Sequence, residues 1–384
     1  LLARFAANDA LWRSFAMKHG SSGGAPPQSG CVVVCGSGHT SVMFYSTGGA
    51  AGSEVQQVKR AWFKHARGGN LPLTDILPDA SGGAFLGTTL EERLQEFIAN
   101  LKRVLQEQDI SDLSSLYIGA TGGMRESIAQ GKMGEAEVAT IRSGFEAAFA
   151  SDQLSVVRFE VLTGEQEARW EIDAAQIIWG GDAAKQMFPA AGADQEVGLF
   201  SGGGKSMQLG QKGSALSFPF STFPKELEER QGAAPDAWLD AEKWHRWADE
   251  LLAKVQAAKV DQPELFNGCF VGTAMNHRAA MYTDIAEQPI TAGAAIPLLR
   301  AALAQFRSQE GELNAKMLAD GKPGSDYPLA RIAAMHTYRL ATVLEELFHP
   351  EAQLFFARNG QDRFGEIDCE WTVGAFAEMA AAQQ

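Results

Sequence analysis

At 384 residues the chain exceeds what one hydrophobic core usually organises, so two domains are expected. An apolar share of 45% fits a globular protein, and no run of about 18 apolar residues is present to form a membrane-spanning helix. A net charge of −14, with no long basic stretch, excludes a nucleic-acid backbone as the ligand, although amides and a few local cations can still hold a small anion.

Residues Leu1–His19 place Leu2, Phe5, Leu11, Trp12 and Phe15 at amphipathic-helix spacing, and Gly20–Gly30 has the composition of a linker. Cys31–Cys35 reads as an apolar strand, Gly36-Ser37-Gly38-His39-Thr40-Ser41 as a small polar turn, and Val42–Tyr45 as the returning strand. Glu54–His65 continues as strand and Arg67–Gly87 as loop. Thr89 is placed to cap a helix through Gln108, with Leu90, Leu94, Phe97, Ile98, Leu101 and Leu105 on its inner face. Leu116–Ala120 is a short strand leading into Thr121-Gly122-Gly123-Met124-Arg125, a turn and helix start where an anion is welcome. Gly134–Ala150 is helical and Ser155–Leu162 a strand. Glu165 and Glu167 then open a helix that carries Trp170 and runs through Ile178; acidic residues there also complement the helix dipole.

The most distinctive stretch is Gly198–Leu209. Gly202, Gly203 and Gly204 free the backbone of Cβ atoms, so amides can approach a ligand and make an anion-binding concavity. Lys205, Ser206 and Gln208 add one charge and two polar groups at its edge. This is not a phosphate-binding loop of the Walker type. That motif needs a glycine where Leu199 stands, and a helix where Met207–Gly213 reads as a strand turning into Ala215–Phe218. The stretch is a hairpin whose tip suits phosphate or serves as a plain turn. Its likeness to the Gly36–Ser41 hairpin suggests two related lobes facing one ligand.

Pro235–Lys259, Leu298–Phe306 and Leu329–Leu347 read as helices, Phe266–Gly272 as a strand, and a short helix after Phe364–Ala375 closes the chain. The class is α/β. Cys31, Cys35, Cys269 and Cys369 make no metal-site spacing, and the first two read as core residues on one face of a strand. His277, His336 and His349 read as structural, Trp238, Trp244 and Trp247 as packing residues, and Tyr282 or Tyr338 as candidates to stack on a base. Because the sequence opens at Leu1, an upstream segment such as a targeting signal is expected to be missing from it, and no compartment is assigned.

Five segments stand in an order that resembles the conserved regions of the apyrase, or ecto-nucleoside triphosphate diphosphohydrolase, family, which includes guanosine diphosphatase-like members. They are Gly36–Ser41, Ala120–Arg125, Leu162–Glu167 with Trp170, Ser201–Gln208, and Trp371-Thr372-Val373-Gly374-Ala375. The resemblance implies an actin-like architecture, with two ribonuclease-H-like lobes flanking a nucleotide cleft. The first lobe would comprise residues 31–163 and 364–384, the second 164–363, with residues 1–30 as an appended helix and linker. It also implies hydrolysis of a terminal phosphate of a nucleoside tri- or diphosphate. By position, Ser37, Gly38 and His39 would hold the nonterminal phosphate and Thr121 and Gly122 the terminal one; Thr40, Arg125, Gly202, Gly203, Gly204 and Lys205 are further candidate phosphate contacts, Lys205 being a departure from the family's pattern. Glu167 matches the catalytic base, with Ser206 and Gln208 positioning the attacking water.

The family also implies magnesium or calcium accompanying the nucleotide, anchored by an aspartate before each glycine loop. Those positions hold Val34 and Ser201, so no metal-ligating residue is assigned, and Lys205 is the cation expected to stand in. Three functions follow: an altered nucleoside phosphate hydrolase, a nucleotide-binding pseudoenzyme acting as a regulatory or assembly subunit, and an exopolyphosphatase-like hydrolase.

Overall fold

The computed structural model describes residues 28–36, 39–48, 54–63, 71–77, 85–108, 113–150, 154, 156–189, 196–202, 206–212, 214–219, 241–261, 264–305, 329–357 and 370–382. The expected N-terminal helix lies outside these residues, as do Ser37, Gly38, Gly203, Gly204 and Lys205.

Two sheets form, and each repeats one plan. In the first, β1 (Ser29–Cys35), β2 (Thr40–Gly48) and β3 (Glu54–Phe63) make an antiparallel meander. β4 (Ser115–Ala120) then pairs parallel to β1, and β5 (Val156–Val161) parallel to β4, giving the order β3-β2-β1-β4-β5. Between them lie α1 (Leu90–Glu107), α2 (Gly122–Ala129) and α3 (Glu135–Phe149). In the second, β6 (Val197–Gly202), β7 (Ser206–Gln211) and β8 (Ser214–Pro219) make the meander, with β9 (Cys269–Ala274) parallel to β6 and β11 (Gln353–Phe356) parallel to β9. The two-residue β10 (Ile290–Thr291) completes the order β10-β11-β9-β6-β7-β8. The remaining helices are α4 (Gly164–Trp179) and α5 (Asp182–Met187) between the sheets in sequence, then α6 (Ala241–Asp261), α7 (Met275–Met281), α8 (Ala292–Gln305), α9 (Leu329–Leu347) and α10 (Trp371–Ala382).

Strand alternation explains why β1 reads as a continuous apolar run. Cys31, Val33 and Cys35 enter the outer core with α1 and α3, while Val32 and Val34 enter a second core shared with the other sheet. That shared core also holds Val197 and Leu199 of β6, so the two sheets face one another across it. Cys31, Cys35 and Cys269 are buried and unpaired, and burial pushes the Cys35 thiol up to about 12.

Helices α4 and α10 fill the space between the sheets and cross at close range. A Cβ on Gly374 would lie 2.3 Å from the Trp170 carbonyl oxygen, so only glycine permits the crossing. Trp371 packs over Gly119, where a Cβ would lie 2.3 Å from its ring, and stacks on Trp170 with centroids 6.0 Å apart. Thr372 shares a 2.7 Å hydrogen bond with Tyr45, and the Trp170 indole donates to Glu378 at 2.8 Å. The Trp371–Ala375 segment is thus a packing device that seats the C-terminal helix against β1 and α4.

Local capping agrees with the residues that predicted it. Thr89 forms a reciprocal capping box with Glu92, and the Thr163 hydroxyl accepts from the Gln166 amide at 3.1 Å. Some boundaries move. The strand expected at Phe266–Gly272 forms at Cys269–Ala274, because Phe266 instead bridges to Phe348. The helix expected from Leu298 starts at Ala292 and carries Pro297 inside it. A 3-10 turn at Leu73–Ile76 interrupts the expected loop, fixed by the buried Leu73 and Ile76.

Candidate active site

The topological duplication places the ends of β1, β4 and β6 at one edge of the shared core. In the first lobe the Gly36 amide donates to the His39 carbonyl at 2.9 Å, closing the turn between β1 and β2. The Thr121 amide donates to the Cys35 carbonyl at 3.1 Å, which binds the β4–α2 turn to the same place. Thr121 is the N-cap of α2, yet its side chain makes no capping bond. His39 is half-buried, and burial together with the Arg60 charge lowers its imidazole pKa. Thr40 is different: it is fully buried beside Cys35, its strand partner on the outer-core face, so its hydroxyl has no open path to a ligand.

The base candidate comes from α4. Glu167 is 8% exposed, one turn past the Thr163 cap, and points back at the first lobe. There Arg125 of α2 donates through Nη2 to Glu167 Oε2 at 2.9 Å and through Nη1 to the Leu162 carbonyl at 2.8 Å. Burial raises the Glu167 pKa, and the Arg125 charge and hydrogen bond oppose that rise. The structure therefore brings two predicted residues, Arg125 and Glu167, into one ion pair beside Thr121 and Gly122.

From the second lobe, Ser201 of β6 faces Gln208 of β7 in register, and both are buried. Alternation settles their direction. Met207 and Leu209 enter the outer core, so Gln208 and Ser201 face α4. Gly202 is buried, and a Cβ there would meet Arg339 Nη2 at 2.4 Å and Asn276 Oδ1 at 3.2 Å. Asn276 in turn donates to the Phe200 carbonyl at 2.9 Å. A buried guanidinium and amide thus support the entrance to the glycine turn from below; burial lowers the Arg339 pKa to about 9. Ser206 opens β7, and its side chain lies outside the described set, as do the tip residues Gly203, Gly204 and Lys205.

Sequence reasoning missed several of these groups. Glu171 lies one helical turn beyond Glu167 and is 8% exposed, with its Oε2 buried and without a hydrogen-bond partner. Spacing of four along a helix already put it on the Glu167 face, a signal that was available. Glu370, just before α10, pairs with Arg60 of β3 at 3.2 Å, and Arg339 lies fully buried on α9. Nothing local marks those last partners, because each comes from a distant element.

A divalent cation does not fit the donor set at the expected anchors. Val34 presents only hydrocarbon to the shared core, Ser201 offers a hydroxyl in place of a carboxylate, and Glu167 is engaged by Arg125. Among the described residues no group of three His, Cys, Asp or Glu side chains is arranged to hold a metal.

No model of a known protein family matches the chain, and no curated protein does. Solved structures do match, and they define the class: a mixed α/β protein with the actin-like two-lobed fold. The chain is similar to a Ppx/GppA family member from Aquifex aeolicus, with a TM-score of 0.56 at 15% identity over 94% of this chain and 99% of that one. It is similar to an exopolyphosphatase-like protein, with a TM-score of 0.54 at 12% identity over 94% and 99%. It is also similar to a nucleoside triphosphate hydrolase from Neospora caninum, with a TM-score of 0.52 at 10% identity over 99% and 97%. At these identities the shared property is the fold.

Proposed function

We propose that the chain is a phosphohydrolase acting on acid anhydrides, cleaving the terminal phosphate of a nucleoside tri- or diphosphate in the apyrase manner with Glu167 as the base. The observation that carries this reading is the Arg125–Glu167 ion pair, with its carboxylate buried, beside the Thr121 turn that is tied to the end of β1. Phosphoryl transfer asks for positioning and charge neutralisation more than for covalent chemistry. Arg125 serves both needs. An arriving phosphate competes for its guanidinium, planar and suited to two phosphate oxygens, and so releases Glu167. The freed carboxylate, buried and correspondingly more basic, then takes the proton of the attacking water. Gln208 faces the same space from β7 and is assigned to orient that water, with Ser206 beside it in sequence. Thr121 and Gly122, at the start of α2, and the His39 turn are assigned to the phosphates, with Ser37, Gly38, Gly203, Gly204 and Lys205 as further proposed contacts. The reading gives calcium or magnesium no protein ligand.

A second reading is hydrolysis of inorganic polyphosphate, supported by the likeness to the Ppx/GppA and exopolyphosphatase-like structures. Both readings use the same base. Phosphate release from ATP, GDP and polyphosphate, each with divalent metal and with chelator, separates them by substrate. Glu167→Gln is expected to leave nucleotide affinity within a few-fold while lowering turnover by about 10²–10⁴-fold. Binding without release from any substrate would instead mark a regulatory nucleotide-binding subunit.

A further inference from the structure

Arg339 is a buried charge that the proposed hydrolysis does not use. It sits on α9 with no solvent exposure, and its helix packs on the outer core through Met335, Leu340, Val343 and Leu344. Alternation along β6 sends Ser201 toward α4 and Gly202 the other way, toward that outer core. We propose that Arg339 is a positioning residue for phosphate binding: from beneath Gly202 its guanidinium lends positive charge to the strand end that enters the glycine turn. This rests on the reading of that turn as a phosphate site.

Three observations meet at Gly202. A Cβ there would lie 2.4 Å from Arg339 Nη2 and 3.2 Å from its Cζ, so the missing side chain is what admits the guanidinium. Asn276 of α7, also fully buried, brings Oδ1 to 3.2 Å from the same point. That oxygen has no hydrogen-bond partner among the described residues, while Nδ2 of the same amide holds the Phe200 carbonyl. Ala274, the register partner of Gly202 on β9, takes φ 55° and ψ −117°, a strained backbone for a residue with a side chain. Such strain persists where the surroundings over-determine the backbone, and here they bring β6, β9 and α7 together at Gly202. A residue needed only for packing would be apolar, since replacing a buried charge by hydrocarbon is often neutral or stabilising. An anion on the cleft face of Gly202 would be separated from the guanidinium by backbone, and in the low dielectric of the interior a charge acts across that distance. Burial lowers the guanidinium pKa only to about 9, which leaves it charged at pH 7. The first glycine of the Gly202–Gly204 run thus serves the cation below it.

The test titrates ATP and inorganic tripolyphosphate, each with magnesium and with chelator, into the full chain and into Arg339→Met, Arg339→Gln and Arg339→Lys, with a urea melt of each protein. Methionine keeps the length of the stem and loses the charge; lysine keeps the charge and loses the planar fork. Both uncharged variants are expected to raise Kd tenfold or more for both anions, and lysine to recover most of that loss. The melt should not follow this order, because Arg339→Met removes a buried charge without removing the packing. An uncharged variant that folds and binds as tightly as the wild type overturns the proposal, and so does a lysine variant as weak as the methionine one. Failure of both uncharged variants to fold makes the guanidinium a requirement of the core and overturns it as well. A wild-type chain that binds neither anion defeats the phosphate reading of the turn and this inference with it. Full turnover in Glu167→Gln, by contrast, defeats the base assignment and leaves the binding result standing.

Discussion

Gly374→Ala tests the link between fold and site most directly. The added Cβ would lie 2.3 Å from the Trp170 carbonyl oxygen, 2.8 Å from its Cα and 2.9 Å from its carbonyl carbon. All three are backbone atoms of α4, so no side-chain rotation relieves the clash, and the two helices must part. Bringing the closest contact to 3.0 Å, the shortest that real Cβ atoms show, displaces the crossing by about 0.7 Å. Overpacking of this kind costs about 1–3 kcal/mol. The same displacement weakens the Trp170–Trp371 stack and stretches the Tyr45–Thr372 and Trp170–Glu378 hydrogen bonds, each worth about 1 kcal/mol. A loss of about 3 kcal/mol in unfolding free energy is expected, measured by urea titration with tryptophan fluorescence as the probe. Because Glu167 lies one turn before Trp170, turnover should also fall, by as much as about 10²-fold for a shift approaching an ångström. A stability change below about 0.5 kcal/mol would refute the claim that this glycine sets the helix crossing.

Gly202→Ala should drive a Cβ into the fully buried Arg339 guanidinium, 2.4 Å away, costing about 1–3 kcal/mol in a thermal or urea melt; an unchanged melt would mean Arg339 can move aside. Arg125→Gln removes the charge that opposes the upward push of burial on Glu167, so the acid limb of kcat/KM should move to higher pH. An acid limb left in place would separate that limb from Glu167. Stability should also depend on Glu171. Its folded pKa lies well above the unfolded value of 4.5, so the folded state binds the extra proton, and the wild type should lose stability relative to Glu171→Gln as pH rises from about 4.5 toward the folded pKa. The slope of that difference approaches about 1.4 kcal/mol per pH unit, and parallel stability curves for the two proteins would contradict it.

The sequence by itself determined the local elements and the candidate base. Strand runs such as Cys31–Cys35, the Thr89 and Thr163 caps and the helix opened by Glu165 and Glu167 depend on neighbours within a turn or two, so periodicity and capping residues suffice to find them. The order of glycine-rich turns also foreshadowed two related lobes, because each turn belongs to a contiguous hairpin. Only the tertiary structure decided which groups act on one another. Arg125 and Glu167 are 42 residues apart, and Glu370, whose charge acts on the buried Glu171 of α4, stands just before α10. Whether an acid is charged depends on desolvation and on charges brought from other elements, and those exist only once the chain has packed. The same holds for Trp371, Thr372 and Gly374. As letters they resembled part of a nucleotide-hydrolase signature, but packing gives them the task of letting one helix lie against another, which no local pattern encodes.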